Sequence, residues 1–310
     1  MTLHFSVIIP TYNVADYITA TLDSLANQSL LPTEIIVVDD GSTDNTVELV
    51  RQHPLIERIT IVEQENQGQG VARNHGVTLA TGDYIYFLDS DDLLTDNFVA
   101  EIADAVAENN APDLMFFSGR EFQDAAYSGS AFNPTNYLRP YETAWRSQEA
   151  FFADLLKVPD LSCSPCLYVS KRSLWQGQKL SFNEFYHEDE ELFYRLIFAA
   201  QSYYMTQDVY FLRRLRDGST MSGKKQPKHA LGLHALLQSL VAMAAANRDK
   251  PLRMRLIRRR IRRFAASYIF CCRLAKVPVD LRLVSRAARE LRHIRGHLSI
   301  VRALLGLGTL

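Results

Sequence analysis

Cysteine is scarce in this sequence, with four in 310 residues. So few thiols in so long a chain make no disulfide framework. Cys163 and Cys166 form a lone Cys-x-x-Cys, with no second pair to complete a zinc site, and read as buried thiols. Cys271 and Cys272 read as helix packing. A reducing compartment such as the cytosol suits this usage. Met1 to Phe5 lacks a basic segment followed by an apolar one, so no signal peptide is expected there. The longest uncharged apolar run is expected near Phe264–Cys272, too short to span a bilayer. There is no internal repeat and no low-complexity tract. Net charge is also small, −1 at pH 7, but it is unevenly spread. From Pro251 to Leu310 there are fifteen Lys and Arg against two Asp and Glu, which leaves nineteen against thirty-three in residues 1–250. A tail that basic suggests an anionic surface as partner.

What is present is a globular composition, 47% apolar and 10% aromatic, long enough for one large domain and an extension. Phe5–Pro10, Ile35–Val38, Ile59–Glu63, Tyr84–Leu88 and Leu114–Phe117 are short, nearly continuous apolar runs and read as buried strands. Between them Asp16–Gln28, the stretch opened by Asp44, Gly68–Ala80 and Phe98–Ala107 carry helical spacing. Strands of this kind in alternation with helices predict a parallel sheet covered on both faces.

In such sheets ligands bind beyond the carboxyl ends of the strands. Polar or acidic clusters follow three of them: Tyr12-Asn13, Asp39-Asp40, and Asp89-Ser90-Asp91-Asp92. The last is the densest. Three carboxylates in four residues need a compensating partner, and clustered hard oxygens suit Mg²⁺ or Mn²⁺ better than zinc. If extended backbone persists past Leu88, Asp89 and Asp91 share a face. The bland alternative is a solvated loop with Asp92 or Asp96 capping the next helix.

Gln123–Pro140 reads as a loop. Glu149–Leu156 and Lys171–Trp175 read as short helices, Leu167–Val169 and Tyr203–Leu212 as strands. Acid is massed again at His187-Glu188-Asp189-Glu190-Glu191, ahead of an apolar helix, where it complements the dipole. His229–Asn247 and Leu252–Lys276 are helix-periodic, and a further basic helix is expected through Arg295.

Five stretches together resemble an inverting family 2 glycosyltransferase. They are Val7–Asn13, Val38–Asp44, Asn66-x-Gly68 through Ala72-Arg73-Asn74-x-Gly76, Asp89–Asp92, and His187-Glu188-Asp189. The resemblance covers about residues 5–220. It implies an α/β architecture, the GT-A fold: a mostly parallel sheet sandwiched by helices, with a C-terminal basic helical extension. The expected division is 1–225 for the nucleotide-sugar-binding and catalytic domain and 226–310 for the extension. It further implies that Pro10, Thr11, Tyr12 and Asp40 hold base and ribose, with Asp40 accepting from uracil N3–H. Arg73 contacts base or phosphate, Asp89 and Ser90 belong to the ribose site, and Asp91 ligates a Mn²⁺ or Mg²⁺ bridging the diphosphate. Asp189 matches the general base, with Glu188 as fallback. His187, Arg214, Arg216 and Ser219 are candidate diphosphate or acceptor contacts.

The implied donor is a UDP-sugar, and the implied acceptor an oligosaccharide or lipid-linked glycan of bacterial surface polysaccharide synthesis. The expected location is cytoplasmic, peripheral on the inner face of the membrane. Basic residues interleave with apolar ones from Arg253 to Phe264, a pattern suited to an anionic membrane surface or to packing back on the acidic body. Nucleic acid is a poorer partner, since no recognition motif is present. Gly68-x-Gly70 lacks the third glycine of a dinucleotide loop, where Arg73 stands. A nucleotidyltransferase is the alternative enzyme, but Pro10–Asn13 is not a Gly-rich basic loop. An inactive nucleotide-sugar-binding protein is the other alternative, opposed by the presence of both Asp91 and Asp189.

Overall fold

The computed structural model describes residues 3–124, 127–129, 137–158, 161–177, 180–217, 226–291, 300 and 302. In chain order the elements begin β1 (Phe5–Thr11), α1 (Ile18–Ala26), β2 (Glu34–Asp39), α2 (Thr46–Arg51), β3 (Ile59–Glu63), α3 (Gln69–Leu79) and β4 (Tyr84–Phe87). They continue with β5 (Leu93–Leu94), α4 (Phe98–Glu108), β6 (Leu114–Gln123), β7 (Thr143–Trp145), α5 (Gln148–Leu155), β8 (Tyr168–Lys171) and α6 (Arg172–Gly177). The last are α7 (Glu188–Ala199), β9 (Tyr203–Leu215), α8 (Pro227–Ala246), α9 (Pro251–Ala275) and α10 (Leu281–Glu290).

The chain divides into two compact units. One comprises Met1–Gln148, Asp160–Glu184 and Leu192–Thr220; the other comprises Glu149–Pro159, Phe185–Glu191 and Met221–Leu310. The expected boundary at 225 therefore falls close to the last break, but the second unit also takes two short segments from earlier in the chain.

Among the described residues nine strands form one sheet in the first unit, in the order β3-β2-β1-β4-β8-β6-β9-β5, with β7 on β9. β1 pairs in parallel with β2 and β4, and β2 with β3. Every residue of β1 and β4 is buried, which is why these strands read as unbroken apolar runs instead of alternating ones. Because β1, β2 and β4 run parallel, their carboxyl ends share one edge, and that edge carries all three polar clusters. β8 enters antiparallel between β4 and β6, while β6 and β9 pair in parallel. Both β6 and β9 run longer than their apolar cores, to Gln123 and Leu215. β5 and β7 are too short to show a period in sequence and are held by pairing with β9.

The core of this unit lies against β1, β4 and β6. Tyr86 and Phe98 meet at 4.7 Å between ring centroids, and Phe98 meets Phe117 edge-on at 5.3 Å. Such pairs contribute about 0.5–1.5 kcal/mol each beyond their buried area.

The second unit is helical. α8 starts behind a capping box made by Gln226 and His229, and α10 behind Asp280, whose carboxylate accepts from the N–H groups of Arg282 and Leu283. One expectation needs correction here: Pro227–Ala246, not Phe264–Cys272, is the long apolar stretch. By length and composition α8 is able to cross a membrane. In the structure it buries Leu233, Leu236, Leu237, Leu240 and Val241 like the core helix of a small bundle, and Gly232 seats Tyr186 so closely that a Cβ there would lie 2.6 Å from the Tyr186 Cβ.

α9 has no acidic residue, and its basic residues divide. Arg259 donates to the carbonyls of Leu155 and Val158, Arg260 pairs with Glu190 at 3.5 Å, and Arg258 donates to the Glu290 carbonyl. Arg255, Arg262 and Arg263 stay exposed. Within this unit the basic helix packs inward through Arg258, Arg259 and Arg260 and presents Arg255, Arg262 and Arg263 outward. The basic helix expected through Arg295 is α10 to Glu290; residues 292–299 lie outside the described residues.

Candidate active site

The loop after β1 is stitched to the loop after β2. Thr11 is buried, and its hydroxyl donates to Asp39 Oδ1 at 3.1 Å. Asn13, in the left-handed region at φ 50°, donates its N–H to Ser42 Oγ at 2.9 Å and accepts the Thr43 N–H on its amide oxygen at 2.8 Å. Asp39 in turn accepts the Ser42 N–H at 2.8 Å. Gly41 turns the chain at φ +80°, with the Asn66 nitrogen 3.1 Å from where a Cβ would sit, so a side chain there is both strained and crowded. Pro10 is buried in the strand, while Tyr12 is 49% exposed, an aromatic face open to a planar partner.

Asp40 is only 3% exposed. Its Oδ1 accepts from Gln64 Nε2 at 2.8 Å and the Gln67 N–H at 2.9 Å, and its Oδ2 from the Gly68 N–H at 2.7 Å. The carboxylate expected to meet a base is turned onto the 64–68 loop and fixes the start of α3. Sequence spacing gave no sign of this, because the partners are two backbone N–H groups and a glutamine.

α3 carries Arg73 to the end of β4. Arg73 is buried; its Nη2 donates to Asp89 Oδ1 at 2.7 Å, and its guanidinium lies over the Phe182 ring at 5.2 Å. Gln69 Nε2 donates to the same oxygen at 3.0 Å. Past Phe87 the extended backbone stops: the Asp92 N–H closes a turn on the Asp89 carbonyl at 3.1 Å. The expected face shared by Asp89 and Asp91 through strand alternation is therefore corrected to a turn, and neither Asp92 nor Asp96 caps α4, whose cap position is Asn97. Thr21 of α1 holds this turn by donating to the carbonyls of Ser90 and Asp92.

Each of the three acids has its own partner, a guanidinium for two of them and a backbone N–H for the third. Asp89 has Arg73. Asp91 Oδ2 accepts from Arg216 Nε at 2.6 Å. Asp92, 4% exposed, accepts the Arg214 N–H on Oδ1 at 2.7 Å. Burial above all, then the charges of Asp91 and Asp89, push the Asp92 carboxyl well above the ordinary range. Arg214 also donates through Nε to the Asp91 carbonyl at 2.8 Å and through Nη1 to Asp124 at 3.0 Å. Arg214 and Arg216 lie two residues apart at the end of β9, so strand alternation sends both toward the acidic turn. Both lie over Tyr17, at 5.4 and 4.7 Å, a contact with no signal in the sequence. Ser219 lies outside the described residues.

Carboxylate oxygens are the donor type that a hard divalent cation takes. Among the described residues no group of three or more His, Cys, Asp or Glu side chains is arranged to hold a metal. Asp92 is spent in the interior, while Asp89 is engaged through Oδ1 with Arg73 and Gln69 and Asp91 through Oδ2 with Arg216. Magnesium-type ions are commonly held by one or two carboxylates, with phosphate oxygens and water completing the shell.

Within the second unit, His187 has φ 72° and its ring lies 6.2 Å from that of Phe264. Glu188, Asp189, Glu190 and Glu191 form the first turn of α7. Glu190 pairs with Arg260, as above, and Glu191 accepts from Ser239 Oγ at 2.9 Å, so these two acids face the helices. Asp189 Oδ1 accepts the Glu190 N–H at 2.8 Å.

Comparison with known proteins adds to this geometry. Residues 6–169 match the model of the family described as glycosyl transferase family 2. The glycosyltransferase GlyA of Streptococcus pneumoniae is 39% identical over 107 residues, 34% of this chain and 15% of that protein. EpsH of Bacillus subtilis is 30% identical over 217 residues, 67% of this chain and 60% of that protein. This chain thus spans less than two thirds of the length of either curated relative. Among solved structures, residues 1–349 of TarS from S. aureus in complex with UDP-GlcNAc superpose with a TM-score of 0.68 at 20% identity, covering 98% of this chain and 92% of that one. A mannosyltransferase from Pyrobaculum calidifontis in complex with GDP-Man and Mn²⁺ gives a TM-score of 0.56 at 20% identity, covering 99% and 81%. At these identities the likeness is one of fold, and that fold is GT-A.

Proposed function

Because the chain belongs to glycosyl transferase family 2, we propose that it moves a hexosyl or N-acetylhexosaminyl group from a UDP-sugar to a hydroxyl of a glycan acceptor, with inversion. The observation that carries this reading is the single rim built from the ends of β1, β2 and β4. There Tyr12, the Asp40-anchored loop, Asp89 with its Arg73, and Asp91 stand along one sheet edge. A uracil nucleotide is favoured over guanine by the bound UDP-GlcNAc and UDP of the TarS structures; the mannosyltransferase holds GDP-Man.

In this reading Pro10, Thr11 and Tyr12 floor the base site, with the Tyr12 ring stacking on it. Asp40 acts by fixing the 64–68 loop. Arg73 orients Asp89, which with Ser90 serves the ribose. Asp91 holds Mn²⁺ or Mg²⁺. When bound, such an ion neutralises the charge that grows on the leaving diphosphate. Arg214 fixes the turn, and Ser219 with Arg216 serves the diphosphate. Asp189 removes the proton of the attacking hydroxyl, with Glu188 as the fallback base and His187 as an acceptor contact. In the same reading the exposed Arg255, Arg262 and Arg263 rest on an anionic membrane, and the enzyme works on the cytoplasmic face beside a lipid-linked acceptor of surface polysaccharide synthesis.

The test is release of UDP or GDP from a panel of nucleotide sugars, with Mn²⁺, Mg²⁺ or EDTA. Turnover of a UDP-sugar that is lost with EDTA and in Asp91→Ala is expected, and Asp189→Asn is expected to bind UDP normally without turnover. Full turnover in Asp189→Asn sinks the base assignment; turnover with EDTA sinks the cation's role. Sedimentation with phosphatidylglycerol vesicles tests the membrane reading, which fails if Arg255, Arg262 and Arg263 together contribute nothing to binding.

A further inference from the structure

Arg214 and Arg216 approach the acidic turn from the same strand end but are held very differently. Arg214 is built in: its backbone N–H, Nε and Nη1 are committed to Asp92, the Asp91 carbonyl and Asp124. Arg216 lies one residue beyond the last residue of β9. Its polar contact among the described residues is Nε to Asp91 Oδ2, supported by the Tyr17 ring. Both side chains of that pair are 22% exposed, so water reaches them and the pair can exchange.

Asp91 is also the carboxylate to which the nucleotide-sugar reading gives a divalent cation. A cation there would either take the oxygen that Arg216 holds or bind the other one. In both cases a guanidinium and a divalent ion would share a single carboxylate at a few ångströms, and like charges that close repel. We infer that Arg216 is a displaceable counter-cation for Asp91. It disfavours the metal until a diphosphate arrives, then moves from the carboxylate onto the phosphate oxygens. This rests on the nucleotide-sugar reading above and deepens it. A guanidinium pairs with phosphate at least as well as with carboxylate, so the diphosphate supplies Arg216 with a second anion and frees Asp91 in the same step. Metal and nucleotide then bind with positive coupling, which is reciprocal by thermodynamic necessity. Tyr17 gives the guanidinium an aromatic face on which to pivot.

The test uses the whole chain and two separate titrations. Mn²⁺ alone is followed by the loss of its free-ion paramagnetic resonance signal, counting only the binding that Asp91→Asn removes. UDP alone, in metal-free buffer, is followed by calorimetry. In Arg216→Gln, Mn²⁺ alone is expected to bind about fivefold tighter or more, and UDP alone to bind weaker by a similar factor. Opposite shifts are the signature, since a damaged site weakens both. Arg216→Lys keeps the charge without the planar fork, is expected to fall between, and serves if Arg216→Gln folds poorly. Unchanged or weaker Mn²⁺ binding in Arg216→Gln overturns the inference. A wild-type chain that fails to bind UDP overturns the nucleotide-sugar reading instead, while the Mn²⁺ titration still decides whether Arg216 and the cation compete.

Discussion

Replacing Gly76 by alanine tests how tightly the site depends on packing behind it. Gly76 lies on the face of α3 that meets β1. A Cβ built there falls 2.4 Å from Ile8 Cγ2 and 3.3 Å from Ile8 Cγ1. Ile8 is fully buried in the middle of β1, paired with Ile36 on one side and Phe87 on the other, so it has little room to yield. Carbon atoms sit best about 3.5–4.0 Å apart, so α3 must ride outward by about 1 Å. Overpacking of this kind costs about 1–3 kcal/mol. Alanine returns about 1 kcal/mol of helix propensity. The net expectation is a loss of up to about 2 kcal/mol, read from the urea midpoint at constant slope. The same displacement draws Arg73 from Asp89, whose 2.7 Å bond has only about half an ångström to spare before it leaves hydrogen-bonding range. UDP affinity is therefore expected to fall about tenfold, equivalent to about 1.4 kcal/mol. Gly177→Ala is the control: a Cβ there meets nothing within 4 Å, and alanine is expected to be neutral or to add up to about 1 kcal/mol. A Gly76→Ala protein more stable than wild type, or one with UDP binding intact, refutes the chain of reasoning from helix position to site.

Glu34 ties the starts of β1, β2 and β4 together by accepting from Ser6, from Thr81 twice, and from the Gly82 N–H. Burial opposes its ionisation, but these donors win and hold its carboxyl below the ordinary range. Its contribution is thus full above the unfolded-state value of about 4.5 and fades as pH falls through the lowered folded-state value. Glu34→Gln is expected to cost about 1–2 kcal/mol at pH 7, and urea melts down a pH series should show the gap closing in acid; a pH-independent gap argues against it. Asp92→Asn keeps the oxygen that accepts the Arg214 N–H while removing a carboxyl whose ionised form burial disfavours, so thermal stability at pH 7 should hold or rise. Asp92→Leu leaves that N–H without its acceptor and is expected to cost about 1–3 kcal/mol; equal stability of the two variants refutes the point. All four cysteines are buried, and burial pushes the thiols of Cys166 and Cys272 up. Iodoacetamide should leave the native protein unlabelled and reach four sites in urea; rapid native labelling of any of them contradicts the packing.

The sequence announces the sheet edge well, because a parallel strand must be apolar throughout its length and the chain turns polar where it leaves the interior. The runs ending at Pro10, Val38 and Leu88 are legible for that reason, and so are the helices between them. The loop partners are not. Asp40 is satisfied by backbone N–H groups more than twenty residues away, and Asp92 by the backbone N–H of Arg214, 122 residues on. A backbone donor has no residue type to reveal it. The short β5 and β7 exist only through pairing with β9, and pairing leaves no local period. The acidic turn shows both sides at once. Its charge is obvious in the sequence, and the need for compensation follows from it. Yet the structure meets that need with the guanidinium groups of Arg73 and Arg216 and the backbone N–H of Arg214, drawn from two distant segments.

The membership of residues 185–191 in the helical unit bears on modularity. Tyr186 rests on Gly232 of α8, and the first turn of α7 is pinned through Glu190 to Arg260 and through Glu191 to Ser239. A graft that exchanged the C-terminal helices for those of another glycosyltransferase, leaving the first 220 residues untouched, would take away the seat of the segment carrying Asp189. The helices are not a detachable cassette, and any swap of them must bring residues 185–191 along.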